Sequence, residues 1–278
     1  MLVRQAGLCR SKCRTGNTWF TPMRAVTTAI QAPRRAMTAA LVAAAALLGC
    51  ASPSVPVAGG EVAPVTASSC PNWLAAQQRG EGRLYAVDAA SSAVRIHVFR
   101  AGRLAKVGHN HVLGLDRIDG RVFLPADGLS GAGVELGFRL DDLVIDKPEW
   151  RAALGAEFAS RPSESDIAGT RANLLKAVDG ERFPAIAVRS KAVAGALPTL
   201  ALRLAVSWHG RERVLDVPMR VERPGGDGPL RAVGGLVLRQ SDFGIAPFSV
   251  LGGLLAIQDE LTVDVDISAR PAATCVGG

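Results

Sequence analysis

Leu200, Leu202, Leu204 and Val206 alternate with Ala201, Arg203, Ala205 and Ser207. Beyond a short turn at His209-Gly210, Leu215, Val217, Met219 and Val221 alternate with Asp216, Pro218, Arg220 and Glu222. A period of two is a strand's, and it gives each arm of this hairpin one apolar and one wet face. The pattern returns at Leu261, Val263, Val265 and Ile267, set against Thr262, Asp264, Asp266 and Ser268. It is present earlier too, at Leu84 to Asp88 and where Val94, Ile96 and Val98 alternate with Arg95, His97 and Phe99. Further strands are predicted over 117–124, 133–145, 183–188, 230–243 and 257–269. Two helices interrupt them. Asp146-Lys147-Pro148 starts a short one, with Pro suited to a first turn, and Ile167, Leu174, Leu175 and Val178 repeat at helical spacing over 164–177.

The fold class is therefore all-β: about eight antiparallel strands with one helical excursion. Strands with one apolar face need a shared interior, and eight of them closed into a barrel leave room for side chains or one slender ligand. The positions predicted to line it are Val94, Ile96, Val98, Val134, Leu136, Phe138, Leu202, Leu204, Leu215, Val217, Val263 and Val265. Pro218 is the local objection, because a proline cannot donate to a ladder and usually marks an edge or bulge.

Composition changes the picture at the N-terminus. The chain has 278 residues and a formal charge of +7, but residues 1–49 carry seven of the 32 Lys and Arg and no acid. The remaining 25 basic residues balance 25 acidic ones. A nucleic-acid partner needs a basic surplus on the folded part, so that class is excluded. The leader has Arg34-Arg35, an uncharged run from Ala36, and then Leu47-Leu48-Gly49-Cys50. The run is too short to span a bilayer. It reads as an export signal ending in a lipobox, with Cys50 as the lipidated residue. Bacterial inner-membrane lipoproteins often carry Asp after this Cys, so Ala51 implies, by resemblance to them, an outer-membrane anchor on the periplasmic side. Met23 gives a leader of ordinary length and is the expected start, which leaves Cys9 and Cys13 outside the protein. The expected organisation is a leader over 1–49, a tether over 50–82 in which Cys70-Pro71-Asn72-Trp73-Leu74 is the part expected to dock on the domain, a barrel domain over 83–270 and a tail over 271–278.

Two cysteines remain in the body. Cys70 precedes the first strand and Cys275 follows the last, and in an up-and-down barrel these strands pair antiparallel, so a disulfide is geometrically reasonable in an oxidising compartment. Two free or intermolecularly paired thiols are the alternative. His109 and His111 stand two apart, a spacing that on a strand puts both imidazoles on one face and supplies two ligands for zinc or copper. A third ligand would come from His97, Asp116 or Asp119. The bland alternative is a pair of histidines hydrogen-bonding loop backbone at a barrel mouth. His-Asn-His without further nuclease residues or a basic body is no nuclease, and Asp242-Phe243-Gly244 without a Gly-rich loop is no kinase. No catalytic triad stands out, and no enzyme is expected.

Leu84-Tyr85-Ala86-Val87-Asp88 with Ser92-Ala93-Val94, then Arg182-Phe183-Pro184, Trp208-His209-Gly210 and Arg239-Gln240-Ser241-Asp242-Phe243-Gly244 resemble, in order and spacing, the YceI-like family. The resemblance covers roughly residues 83 to 270. It implies a lipocalin-like eight-stranded barrel, exported to the periplasm, whose tunnel holds a polyisoprenoid, a quinone or a related lipid. Gly108-His109-Asn110-His111 departs from the commoner family pattern and marks a divergent subgroup. Three functions stay open: a lipid carrier whose partners are a small apolar lipid and the membrane, a periplasmic metal- or haem-binding protein using His109 and His111, and an envelope interaction module with a filled barrel.

Overall fold

The alternating stretches pair into one continuous antiparallel wall. The computed structural model describes residues 68–223 and 228–275, which fall in a compact unit spanning Pro56–Gly278. The leader, Met23 and Cys50 lie outside the described residues. A short helix, α1 (Cys70–Gln78), comes first, followed by β1 (Gly82–Val87) and β2 (Ala93–Ala101). Next come β3 (His111–Leu115), β4 (Asp119–Pro125), β5 (Gly133–Arg139) and β6 (Leu143–Ile145). The helices α2 (Pro148–Ala153) and α3 (Glu164–Ala177) form the excursion. The wall resumes with β7 (Ala185–Ala196), β8 (Thr199–Trp208), β9 (Arg211–Glu222), β10 (Leu230–Arg239), the short β11 (Ser249–Val250) and the long β12 (Leu255–Pro271).

The ring runs β1-β4-β5-β7-β8-β9-β10-β12, and β12 returns to β1 with Val87 opposite Ala269, which closes an eight-stranded barrel. The first three strands of the ring are broken and bent. β12 meets β1 at one end and β2 at the other, so β1 and β2 are two halves of one strand. β3 with β4, and β5 with β6, are divided in the same way. A 3-10 turn at Leu140–Asp142 makes the last of these breaks, inside the stretch expected to be one strand. The strand expected over 230–243 likewise ends at Arg239 and passes into a 3-10 turn, Gln240–Phe243, with Phe243 buried. The predicted β8–β9 hairpin forms around His209 and Gly210, both at positive φ, as a two-residue turn of the primed type requires.

Each part of the excursion covers a different side. α2 and the turn after it lie against the outer wall: Phe158 packs edge-on against both His97 and Phe99, and Trp150 lies over β3. Gly114 makes room for that indole, since a Cβ there would sit 2.4 Å from it. α3 starts at a capping box in which Ser163 and Asp166 satisfy each other's backbone N–H groups. It lies across one end of the barrel, where Thr170, Asn173, Leu174 and Ala177 face the interior. Arg171 of α3 donates to the Leu143 carbonyl, so the helix is tied to β6.

At the opposite end α1 packs on β1, inside the stretch expected to be tether. Pro71 at its start suits a first turn, and Trp73 stacks on Phe123 with centroids 6.2 Å apart. Cys70 and Cys275 are joined by a disulfide.

Candidate functional site

Because the wall closes with its apolar face inward, the interior is lined almost wholly by aliphatic and aromatic side chains. They do not fill it. A cavity of about 320 Å³ runs through the barrel, so the filled-barrel expectation is overturned. The hollow explains why Val94, Ile96, Val134, Leu136 and Phe138 face inward yet are only half-buried. The predicted lining residues all line it except Leu215, which is half-buried and packs against the same core side chains without reaching the cavity.

Polar groups meet the cavity near the end covered by α3. Thr170 and Asn173 of α3, Gln240 after β10 and His111 at the start of β3 all line it. Gln240 is buried, and its amide donates to the Gln258 carbonyl at 2.9 Å. This end is therefore amphiphilic, and the rest is greasy.

His111 belongs to a buried network. Its Nδ1 lies 2.6 Å from Oδ2 of Asp146. The other carboxylate oxygen, Oδ1, accepts from the Val112 N–H at 2.9 Å and from Arg151 Nη1 at 2.5 Å. Asp146 has no exposed side-chain surface. Burial pushes its carboxyl up, but the donors from His111, Val112 and Arg151 outweigh this and hold it below the ordinary aspartate range. An ionised carboxylate can only accept, so His111 donates from Nδ1 and Nε2 is the ring nitrogen left for another partner. Arg151 also donates to the Asn110 carbonyl (2.8 Å), the Ser160 carbonyl (2.9 Å) and Ser160 Oγ (2.6 Å). Asn110 clips the loop in place: its Oδ1 accepts from the Arg100 N–H and its Nδ2 donates to the Glu157 carbonyl.

His109 precedes the strand rather than sharing it, so the expected common strand face is not how the two histidines meet. Their rings nevertheless sit 4.6 Å apart at 61°. Nε2 of His109 is buried with no hydrogen-bond partner. Burial first, and then the neighbouring His111, lower the His109 pKa below the ordinary imidazole value. One ring nitrogen from each histidine and one Asp146 oxygen lie within 4.8 Å of one another.

The third group is thus Asp146, not one of the residues expected. His97 lies on the outer wall and bonds Asp264 at 2.8 Å, Asp116 takes Lys147, and Asp119 is exposed at the start of β4. His209 bonds the Phe243 carbonyl at 3.1 Å as part of its turn. Sequence reasoning missed Asp146, Arg151, Asn110 and Gln240. For Asp146 the available signal was a polar residue directly after an inward-facing Ile145 and just before a helix start.

No family model matches the chain, and no curated protein matches it. Among solved structures it is similar to BcnA of Burkholderia cenocepacia at 13% identity and a TM-score of 0.49, over 66% of this chain and 99% of that one. It is also similar to the YceI protein of Campylobacter jejuni, a member of the family its motifs resemble, at 10% identity and a TM-score of 0.38, over 57% of this chain and 83% of that one. At such identities and scores the function of neither transfers to this chain.

Proposed function

We propose that the protein is an exported, Cys50-anchored carrier of a lipid with a long apolar chain, a polyisoprenoid or a quinone, and that it binds this cargo rather than converting it. The observation that supports this reading is the cavity: about 320 Å³, apolar along its length, with polar groups gathered near one end. Its size falls in the range of small-molecule sites, roughly 300–1,000 Å³. An amphiphile fits with its chain down the barrel and its head beside His111, Thr170, Asn173 and Gln240. Native mass spectrometry of protein purified without added ligand tests it. A discrete extra mass that extracts into organic solvent is expected, and Leu136→Trp, which fills the cavity, should abolish it. An apo mass after gentle purification from the native envelope counts against the carrier.

A second reading is favoured by the buried, unpartnered Nε2 of His109. An orphaned buried nitrogen costs about 1–3 kcal/mol, and a divalent transition ion would satisfy it. His109, His111 and Asp146 would be the ligands, with Arg151 and Val112 behind the carboxylate. Imidazole donors suit zinc, cobalt or copper rather than calcium or magnesium. Cobalt(II) titration followed by absorption of the bound ion reads this directly. Stoichiometric binding that disappears in the His109→Ala, His111→Ala double variant supports a metal site. No bound ion leaves the cluster as a hydrogen-bonding unit at the mouth.

A further inference from the structure

We propose that two loops on the rim of the barrel form a docking surface for an anionic lipid bilayer. Half of the exposed large hydrophobic residues among those described belong to these loops: Leu104 and Val107 from one, and Val250, Leu251 and Leu254 from the other. The loops are neighbours in space. β2 runs into the first and β12 out of the second, with Ala101 opposite Ala256, and the Leu104 N–H donates to the Leu254 carbonyl at 2.8 Å. A Cβ on Gly102 would come within 2.4 Å of that carbonyl, so the loops touch backbone to backbone. Scattered single apolar residues on a surface are ordinary, whereas several on one small protrusion mark an interaction site.

The tip of the second loop strengthens the case. Leu251, Gly252 and Gly253 all have positive φ, at 54°, 65° and 86°. Two glycines accept that conformation freely, but a leucine does not. Leu251 is also 67% exposed, so it is held in a disfavoured backbone state without burying its side chain in the protein.

Charge selects the occupant. No acidic residue lies between Asp88 and Asp116, or between Asp242 and Asp259, so both loops lack negative charge of their own. Arg103 and Lys106 stand exposed in the first loop beside Leu104 and Val107, and neither takes part in an ion pair among the described residues. Apolar side chains flanked by unopposed cations match the interface of a membrane with anionic headgroups. Position supplies the use. Phe248 and Ile257 flank the second loop in sequence and line the cavity, so a rim seated in a bilayer brings the cavity mouth to the lipid. That role, loading or unloading of cargo, rests on the carrier reading; the docking does not.

Vesicle flotation of the compact unit Pro56–Gly278, which lacks Cys50 and any lipid on it, tests the proposal. The vesicles are phosphatidylcholine alone and phosphatidylcholine mixed with phosphatidylglycerol. The protein should float with the mixed vesicles and release in high salt. Val107→Ser with Leu251→Ser, both exposed and so without effect on folding, should reduce flotation by roughly tenfold or more. Arg103→Ser with Lys106→Ser should remove the preference for phosphatidylglycerol. Wild-type protein that floats with neither vesicle, or apolar variants that float like wild type, overturn it. So does light scattering that shows a dimer dissolved by the same two serines, because the patch would then be covered by a second copy. Cargo mass is read separately, so a barrel that proves empty leaves the flotation result standing.

Discussion

The Nδ1 of His111 and Oδ2 of Asp146 are 2.6 Å apart, a bond that joins the first residue of β3 to the residue just beyond β6. It ties together two strand ends at the cavity mouth and fixes which nitrogen of His111 remains available.

Asp146→Asn isolates the charge. Asp146 has a φ of 56°, a conformation asparagine tolerates as well as aspartate does, so the substitution adds no backbone strain. It does leave Arg151 buried, 5% exposed in its side chain, without its anion. Breaking a buried pair by removing one partner costs about 3–5 kcal/mol. The denaturation midpoint should fall accordingly, with an unchanged slope. A fall of less than about 1 kcal/mol would mean that the hydrogen bonds, not the charge, hold the mouth together.

Glu135 provides an acid-sensitive latch for α1. Its carboxylate accepts from Ser68 Oγ and from the Ser69 N–H, each at 2.7 Å. Burial pushes the Glu135 carboxyl up, but these bonds and the nearby Arg189 outweigh it and hold it below the ordinary range. A carboxylate whose folded pKa is depressed adds stability that is complete above its unfolded value, about 4.3 for glutamate, and that is lost as the pH falls through the folded value. Acid titration should therefore loosen α1 before the barrel unfolds, seen as a change in Trp73 emission as its stack on Phe123 opens. Glu135→Gln should lack that step. An equal step in the variant assigns it to another group.

Much of this fold was legible because burial imposes periodicity. The period of two located the β8–β9 hairpin and the inward faces, and the helical spacing of Ile167, Leu174 and Leu175 located α3. Long-range pairing leaves no such trace. Asp146 stands 35 residues from His111, and nothing local says that they meet. Leu215 alternates like its neighbours and packs against the core, yet it does not reach the cavity, because alternation assigns a face and not a depth. The hollow itself was not readable either, since a packed interior and an empty one use the same residues. That Cys70 to Leu74 would dock on the domain was legible, but not that the segment is a helix, because packing on β1 and the disulfide, rather than an apolar stripe, hold α1.

Removing the disulfide by Cys70→Ser with Cys275→Ser should cost about 2–4 kcal/mol, mainly by freeing the unfolded chain, since the bridge spans 205 residues. In the native state the β1–β12 ladder keeps the ring closed without it. Limited proteolysis of the variant should therefore cut first around α1 and the C-terminal tail, with the barrel intact. Early cuts inside β10 or β12 would show that the bridge is needed to keep the barrel shut.

Pro218 explains a seam in the wall. The β9–β10 ladder runs from Glu222 opposite Arg231 to Met219 opposite Gly234 and stops there, although β10 continues along β12 as far as Arg239. The two-residue turn at His209-Gly210 makes Trp208 and Arg211 a hydrogen-bonded pair, so even-numbered residues of β9 aim their N–H groups at β10. Pro218 is one of these and has no N–H to give. Above it the outer faces of both strands carry exposed valines, Val214 at 51% and Val237 at 54%. Hydrogen exchange should find the β10 amides over 235–239 that face β9 poorly protected, while those facing β12 stay protected. Pro218→Val restores the donor and should raise that protection, with a gain of up to about 1 kcal/mol. If protection stays low in the variant, the glycine pair Gly234-Gly235, and not the missing donor, ends the ladder. The seam would then follow from the weakness of glycine in a strand.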